Sequence, residues 1–181
     1  MNKAEERAII NKIVAGDTNS YRLIVDALKD RIAAVCMSML KNETWAEEVG
    51  QDTFVRLYNA LPKFKGDSNL STYATRIAIN LCKNKLDSVN RRRNRFLVQT
   101  DSHNTVPSSQ ESTQKKLENQ ELINLAVDVL KPEERSVVVL RLMEGYSIKE
   151  TAEIIGIKEG TVMSKLSRAL KKMQTVLDDL K

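Results

Sequence analysis

The chain has 181 residues, enough for one large domain or two small ones with modest cores. Hydrophobic residues make up 41% and charged residues 29%, while only six Gly and three Pro occur, a balance that excludes a turn-rich sheet protein and favours long helices. The net charge of +5 is uneven: residues 1–95 carry 17 Lys and Arg against 11 Asp and Glu, and residues 96–181 carry 12 against 13, so a basic first half faces a slightly acidic second one.

Helical spacing predicts a first helix from Ala4 to Ala15, ended by Gly16. Its charged start, Met1-Asn2-Lys3-Ala4-Glu5-Glu6-Arg7, is unlike a signal peptide, and no apolar stretch approaches the length of a membrane span. The expected location is therefore cytoplasmic. A second helix is expected from about Asn19 to Leu40, with Leu23, Ala27, Ile32 and Val35 inward, and a third from Thr44 to Pro62, with Ala46, Val49, Leu57 and Leu61 inward. Gln51, Asp52, Arg56 and Asn59 form a polar row on the third helix, which by composition alone is a solvated face. Cys36 and Cys82 have no CxxC partner, so both are expected to be small buried hydrophobes rather than zinc ligands or a disulfide.

A Gly- and Asp-bearing loop, Gly66-Asp67-Ser68-Asn69-Leu70, leads into a fourth helix expected from about Ser71 to Arg93. Ala74, Ile77, Ala78, Leu81 and Cys82 would face the core. Tyr73, Arg76, Asn80, Lys83 and Asp87 fall on another stripe, at i, i+3, i+7, i+10 and i+14. Those side chains suit single-stranded nucleic acid: an aromatic face for stacking, an amide for a base edge, and cations for phosphates. On spacing alone the stripe reads first as a polar helix face. The basic run Arg91-Arg92-Arg93-Asn94-Arg95 follows.

Residues 100–113, TDSHNTVPSSQEST, lose all apolar periodicity and read as a linker. We therefore expect an all-α protein of two small helical domains, 1–95 and 115–181, joined by a flexible tether over 96–114 that lets them sit well apart. His103, the only histidine, falls in that tether.

Helical pattern resumes at about Lys115 and runs to Val129. Beyond it, Leu130-Lys131-Pro132-Glu133-Glu134 starts a helix that runs through Val138, Leu142 and Met143 to Gly145, with Pro at its first position and two carboxylates at its positive end. Ser147-Ile148-Lys149-Glu150 is a capping box, and Ile148, Ala152 and Ile155 follow on one face. Gly156 then supplies a turn into a helix with Val162, Leu166, Ala169, Leu170 and Met173 inward. Its opposite face shows Lys158, Thr161, Met163, Ser164, Lys165, Arg168 and Lys171. A short helix, a Gly turn and a second helix with a cationic outer face form the geometry of a helix-turn-helix that sets one helix into the major groove.

The segment LKPEERSVVVLRLMEGYSIKETAEIIGIKEGTVMSKLSRALKKM resembles region 4 of bacterial RNA polymerase sigma factors, whose role is to read the −35 promoter element. FKGDSNLSTYATRIAINLCKNKL resembles regions 2.3–2.4 of the extracytoplasmic-function (ECF) type, and the helix from Trp45 to Tyr58 is similar to region 2.2. Regions 1.1 and 3 of the housekeeping members find no counterpart, which marks the minimal ECF type. The resemblance implies −35 contacts by Lys158, Thr161, Met163, Ser164, Lys165, Arg168 and Lys171. It implies −10 binding and melting by the loop Gly66, Asp67, Ser68, Asn69 and Leu70 together with Tyr73, Arg76, Asn80 and Lys83. Gln51, Asp52 and Arg56 would dock on the β′ clamp helices of core RNA polymerase, with the β flap and an anti-sigma factor as further partners. Three positions depart from the family pattern: Tyr73 stands where Trp is usual, Thr151 where Ile is common and Met163 where a basic residue is common.

The expected function is thus promoter-specific initiation, with no cofactor and no catalysis. A stand-alone helix-turn-helix regulator with a sensing or dimerising first domain would explain the second half but not the Tyr/Asn/Arg stripe of the fourth helix. An enzyme acting on nucleic acid has little support, for the chain has no Gly-rich phosphate loop and no carboxylate cluster of metal-ligand spacing.

Overall fold

The computed structural model describes residues 3–97 and 122–179, so the expected tether and the start of the helix predicted from Lys115 lie outside the described residues. Among the described residues every regular element is helical. The first group holds α1 (Lys3–Val14), α2 (Tyr21–Leu40), α3 (Glu43–Ala60) and α4 (Leu70–Leu97). The second holds α5 (residues 122–128), α6 (Pro132–Val138), α7 (Ile148–Ile155) and α8 (Glu159–Asp179). No described helix is long and apolar enough to cross a membrane.

In the first group α2, α3 and α4 pack mutually, and α1 lies across one end. Asn42 caps α3 by accepting the Trp45 N–H at 2.9 Å. Just before it, Lys41 closes α2 in the left-handed region at φ 51°, an unusual conformation for a side chain with a Cβ. The inward face of α2 is Ile24, Leu28, Ile32, Val35, Cys36 and Met39. Leu23 is 55% exposed and Ala27 is also outside, so that part of the expected face was one residue out of register. The apolar run Leu23-Ile24-Val25 offers three adjacent candidates, and only packing against α3 and α4 selects the middle one. Ala46, Val49, Leu57 and Leu61 are inward as expected, as are Ala74, Ala78, Leu81 and Cys82. Cys36 and Cys82 are free thiols in this core.

In the second group Pro132 begins α6, and the Lys131 N–H is taken by the Glu134 carboxylate at 3.2 Å. The helix then widens into a π-helical turn over Val139–Met143, where the Glu144 N–H reaches back to the Val139 carbonyl at 2.9 Å. Leu170 is 43% exposed, contrary to expectation, and Leu142 is 54% exposed, because the two helix faces that close the small core are narrow. That core comprises Val127, Leu130, Val138 and Ala169 on one side and Val137, Ala152 and Val162 on the other.

The two groups do not sit apart. Val139, Leu140, Tyr146 and Ile154 of the second join the core of the first, so one apolar cluster runs across the boundary. Arg135 is 7% exposed and donates to the Met39 carbonyl at 3.0 Å, to the Val127 carbonyl at 3.2 Å and to Asp128 at 3.0 Å. Lys41 adds an ion pair to Asp128 at 3.1 Å and a hydrogen bond to the Asn124 carbonyl. The Tyr146 hydroxyl pairs with the Thr75 hydroxyl at 2.9 Å, and the Arg31 guanidinium lies 5.4 Å from the centre of the Tyr146 ring. The π-helical turn is what delivers these groups: it brings Glu144 within 3.1 Å of Ser38 and turns Tyr146 inward after Gly145, at φ 71°.

Replacing Arg135 by Ala leaves the Met39 carbonyl without its donor, takes one of two donors from the Val127 carbonyl and breaks the pair with Asp128, at a cost of about 3 kcal/mol or more. Chemical denaturation will show the loss, and small-angle scattering will show a larger radius of gyration. An unchanged scattering profile would mean that this guanidinium does not hold the halves together. Tyr146→Phe removes only the Thr75 bond and should lower stability by about 1 kcal/mol.

Candidate nucleic-acid interface

The helix-turn-helix forms as the sequence implies. The Ser147 hydroxyl accepts the Glu150 N–H at 3.1 Å, and the Glu150 carboxylate accepts the Ser147 N–H at 2.8 Å. These hydrogen bonds hold the Glu150 carboxyl below the usual glutamate range. The contribution is full above the ordinary glutamate pKa and fades as pH falls through the lowered one. At the other end of α7, Gly156 adopts φ 77° and its N–H returns to the Ala152 carbonyl at 2.8 Å. A side chain there would meet no atom within 4 Å, so glycine is required by backbone conformation and not by space.

Along α8, Met163, Ser164, Arg168 and Lys171 are exposed, as is Lys158 in the turn before it, while Thr161 and Lys165 are half-buried. Arg168 rests its Nε on the Ser164 carbonyl at 3.2 Å, and the Ser164 hydroxyl donates to the Thr161 carbonyl at 3.1 Å. All seven expected reader residues are therefore gathered at the turn and along α8. Met163, 58% exposed, stands in their midst and can offer a base edge only an apolar contact. Behind the reader, Thr151 is fully buried and its hydroxyl has no hydrogen-bond partner among the described residues.

The second cluster surrounds the start of α4. Gly66 turns the loop at φ 78°; Asp67 and Asn69 are exposed and Ser68 is half-buried. Leu70 is fully buried in the core and so anchors the loop instead of offering it a contact surface. That is a correction to its expected place in the binding set: as the first residue of α4, Leu70 points inward beside Ala74. Tyr73 is half-buried, its ring 5.1 Å from that of Phe64 and tilted by 55°. Asn80 is exposed and Lys83 half-buried farther along the same helix.

Arg76 differs from its stripe partners. Its guanidinium donates to the Glu153 carbonyl of α7, and its Nε is buried without a partner among the described residues. An open hollow beside this contact is lined by Arg76, Gly156, Lys158 and Glu159. Arg76 is thus half-buried and tied to the backbone of α7, with one side of it open to the hollow. The apolar spacing of the sequence carried no sign of this contact. Nor does the sequence mark Arg135 and Ser136 as buried, for they follow Glu133 and Glu134 directly and only precede the apolar run Val137–Leu140.

On α3, Asp52 and Arg56 form an ion pair at 3.1 Å, one helical turn apart, and Gln51 is exposed beside them. Gln51 also borders an apolar groove of about 470 Å³ between α2 and α3, floored by Ile32, Ala33, Met37, Ala46 and Phe54 and flanked by Lys29, Glu43 and Glu47. At the far end of α4, Arg91 and Arg92 are exposed; the side chains of Arg93 and Arg95 lie outside the described residues.

A helix-turn-helix reader on one side and an aromatic- and amide-bearing helix beside a tight loop on the other define a nucleic-acid-binding protein of the transcription class. Residues 24–93 match the family described as Sigma-70 region 2, and residues 120–173 match Sigma-70, region 4. The chain belongs to the sigma-70 family, in its ECF group, and has a sigma factor role. It is 26% identical over 183 residues to the ECF RNA polymerase sigma-E factor of Haemophilus influenzae, covering 97% of this chain and 96% of that one. It is 28% identical over 182 residues to the ECF RNA polymerase sigma factor SigW of Bacillus subtilis, covering 94% and 96%. Among solved structures, CnrH in complex with the cytosolic domain of CnrY shares the fold with a TM-score of 0.67 at 23% identity, covering 96% of this chain and 97% of that chain. RpoE in complex with the anti-sigma factor NepR, from Bartonella quintana, does so with a TM-score of 0.62 at 23% identity, covering 89% and 98%.

Thr151→Val keeps the shape of the side chain and removes the unpaired hydroxyl. It should raise stability by about 1 kcal/mol, read as a higher denaturation midpoint. A fall in midpoint would mean that the hydroxyl is satisfied in solution.

Proposed function

We propose that this chain binds core RNA polymerase and directs initiation at particular promoters, reading −35 duplex DNA with α8 and opening and holding the −10 element with the loop at Gly66 and with α4. The observation that carries the reading is the pairing of two unlike nucleic-acid surfaces in one chain. The face of α8 is long, convex and cationic, with Arg168, Lys171 and Lys158 exposed, as duplex docking requires. The α4 surface instead combines a loop, an aromatic pair and the exposed Asn80, as an unstacked strand requires.

Core polymerase would dock at Gln51, Asp52 and Arg56 and the adjoining apolar groove, through its β′ clamp helices, with the β flap reaching the second domain. The groove's apolar floor and mixed-charge rim suit an amphipathic helix. Domain limits of 1–95 and 115–181 with a tether between them agree with this division of work. Binding of core would also have to separate α7 from α4, since Arg76 is otherwise held by the Glu153 carbonyl. An anti-sigma factor is a second expected partner; CnrH and the Bartonella RpoE are each complexed with a protein of their own. On this reading the chain works in the cytoplasm, at the nucleoid when bound to core polymerase.

Association with purified core polymerase, followed by transcription from a promoter library, tests the whole reading. A chain that fails to bind core yet shifts promoter duplex tightly alone would instead be a self-sufficient regulator. Replacing Tyr73 and Asn80 together by Ala should reduce permanganate reactivity of the −10 thymines at least tenfold while duplex binding changes little. Equal footprints in mutant and wild type would remove both residues from strand opening. Arg168→Ala should weaken holoenzyme binding to promoters bearing a −35 element by about tenfold, and unchanged affinity would take it off the reader face.

A further inference from the structure

Among the described residues in the first two turns of α8, one apolar side chain lies exposed. Val162 and Leu166 turn into the small core, but Met163 is 58% exposed beside Ser164. We propose that Met163 reads the 5-methyl group of a pyrimidine in the major groove of the −35 element. The inference rests on the −35 reading above and adds to it the chemical feature recognised, a methyl group in place of a hydrogen-bonding edge.

The position of Met163 suits contact with a base. A recognition helix presents its N-terminal residues to the base edges, and Met163 is the fifth residue of α8. A helical side chain leans toward the N-terminus of its helix, so Met163 covers the turn that holds Gly160. Gly160 has no side chain to compete with it, and a Cβ there would meet no atom within 4 Å. One turn further along, at i+4, Ser167 is short and exposed. Small neighbours on both sides leave the thioether free to extend and let the backbone approach the groove.

The chemistry of the thioether then selects its partner. The major-groove edges of the bases offer donors, acceptors and, on thymine, a methyl group. Met163 has no donor and is at best a weak acceptor, so against an amino or keto group it would strip water and return no hydrogen bond. Against a 5-methyl group it buries apolar surface on both sides. Its polar neighbours are partly engaged within the helix: the Ser164 hydroxyl donates to the Thr161 carbonyl at 3.1 Å, and Arg168 Nε donates to the Ser164 carbonyl at 3.2 Å. The remaining donors of Arg168 and the Lys171 ammonium can hold phosphates and position the helix, while Met163 discriminates without charge. Thymine and 5-methylcytosine present the same methyl group, and either would satisfy it.

The test uses holoenzyme assembled from the full chain and core polymerase, on a promoter that it transcribes. Each −35 position, on either strand, carries in turn thymine, uracil, cytosine or 5-methylcytosine. At one position wild type should bind thymine about fourfold more tightly than uracil, the effect of burying one methyl group. At that position 5-methylcytosine should exceed cytosine by a similar factor; a preference for thymine over uracil with no gain from 5-methylcytosine would overturn the assignment to the methyl group. Met163→Ala should bind the thymine and uracil duplexes equally, and Met163→Leu, which keeps the apolar reach, should retain the difference. Arg168→Ala should weaken both duplexes yet keep their ratio. If wild type separates thymine from uracil nowhere, or Met163→Ala keeps the full ratio, the role of Met163 is wrong while the −35 reading stands. If scrambling the whole −35 element leaves wild-type affinity unchanged, the −35 reading itself fails and this inference falls with it.

Discussion

The Arg135 guanidinium is the point on which the arrangement of the two halves turns. It sits almost out of contact with water and divides its donors between the Met39 carbonyl of the first half and the Val127 carbonyl and Asp128 carboxylate of the second. A buried cation is costly unless it is paired, and here only Nε is left without a partner among the described residues. Burial pulls its pKa down and Asp128 opposes that pull, so the position is tenable only while the acceptors stay in place. Lys41 faces the same balance: burial lowers its pKa, and Asp128 again counters it. One carboxylate therefore serves two cations from opposite sides of the boundary, and separating the halves would strand Lys41 or Arg135 unless water replaced the lost partners.

That closed arrangement bears directly on DNA engagement. Met163, Ser164, Arg168 and Lys171 of α8 are exposed, while Lys158 borders the hollow beside Arg76. The α4 face is not uniformly available: Thr75 is buried under Tyr146, and Arg76 is held against the backbone of α7. Both guanidiniums leave Nε without a partner among the described residues, but Arg76 makes one hydrogen bond across to α7 where Arg135 makes three, so less is lost when Arg76 parts. The two ends of the boundary differ in this way, tight around Arg135 and Lys41 and looser around Arg76.

The three departures from the family pattern have separate physical consequences. Tyr73 retains an aromatic face, already paired with Phe64, but offers less area than an indole. Met163, 58% exposed, sets an apolar, flexible side chain among the cationic residues of α8, which changes that surface without touching its packing. Thr151 lies behind the reader, buried with an unanswered hydroxyl, and so affects the stability of the helix-turn-helix rather than its contacts.

Local chemistry made most elements legible from sequence. The capping box at Ser147 and Glu150, the left-handed Gly156 and Pro132 at a helix start are decided within four residues of chain, and the structure reproduces each. Helical periodicity likewise found the inward faces of α3 and α4. Where the apolar residues were adjacent, as at Leu23 and Ile24 or Ala169 and Leu170, periodicity alone could not choose, and long-range packing did. The same limit governs the candidate site. Residue types and motif resemblance led to six expected reader positions that fall on α8, with Lys158 in the turn before it, and to a stripe that falls on α4, because helical spacing decides which residues share a face. They could not show Leu70 buried or Arg76 engaged by Glu153, since such contacts depend on how separate helices meet. Sequence thus determined the helices and their chemistry, which short-range hydrogen bonding and side-chain spacing dictate. Tertiary structure decided which of those surfaces are covered, because burying a shared apolar core and pairing Arg135 are properties of the assembled halves and of neither alone.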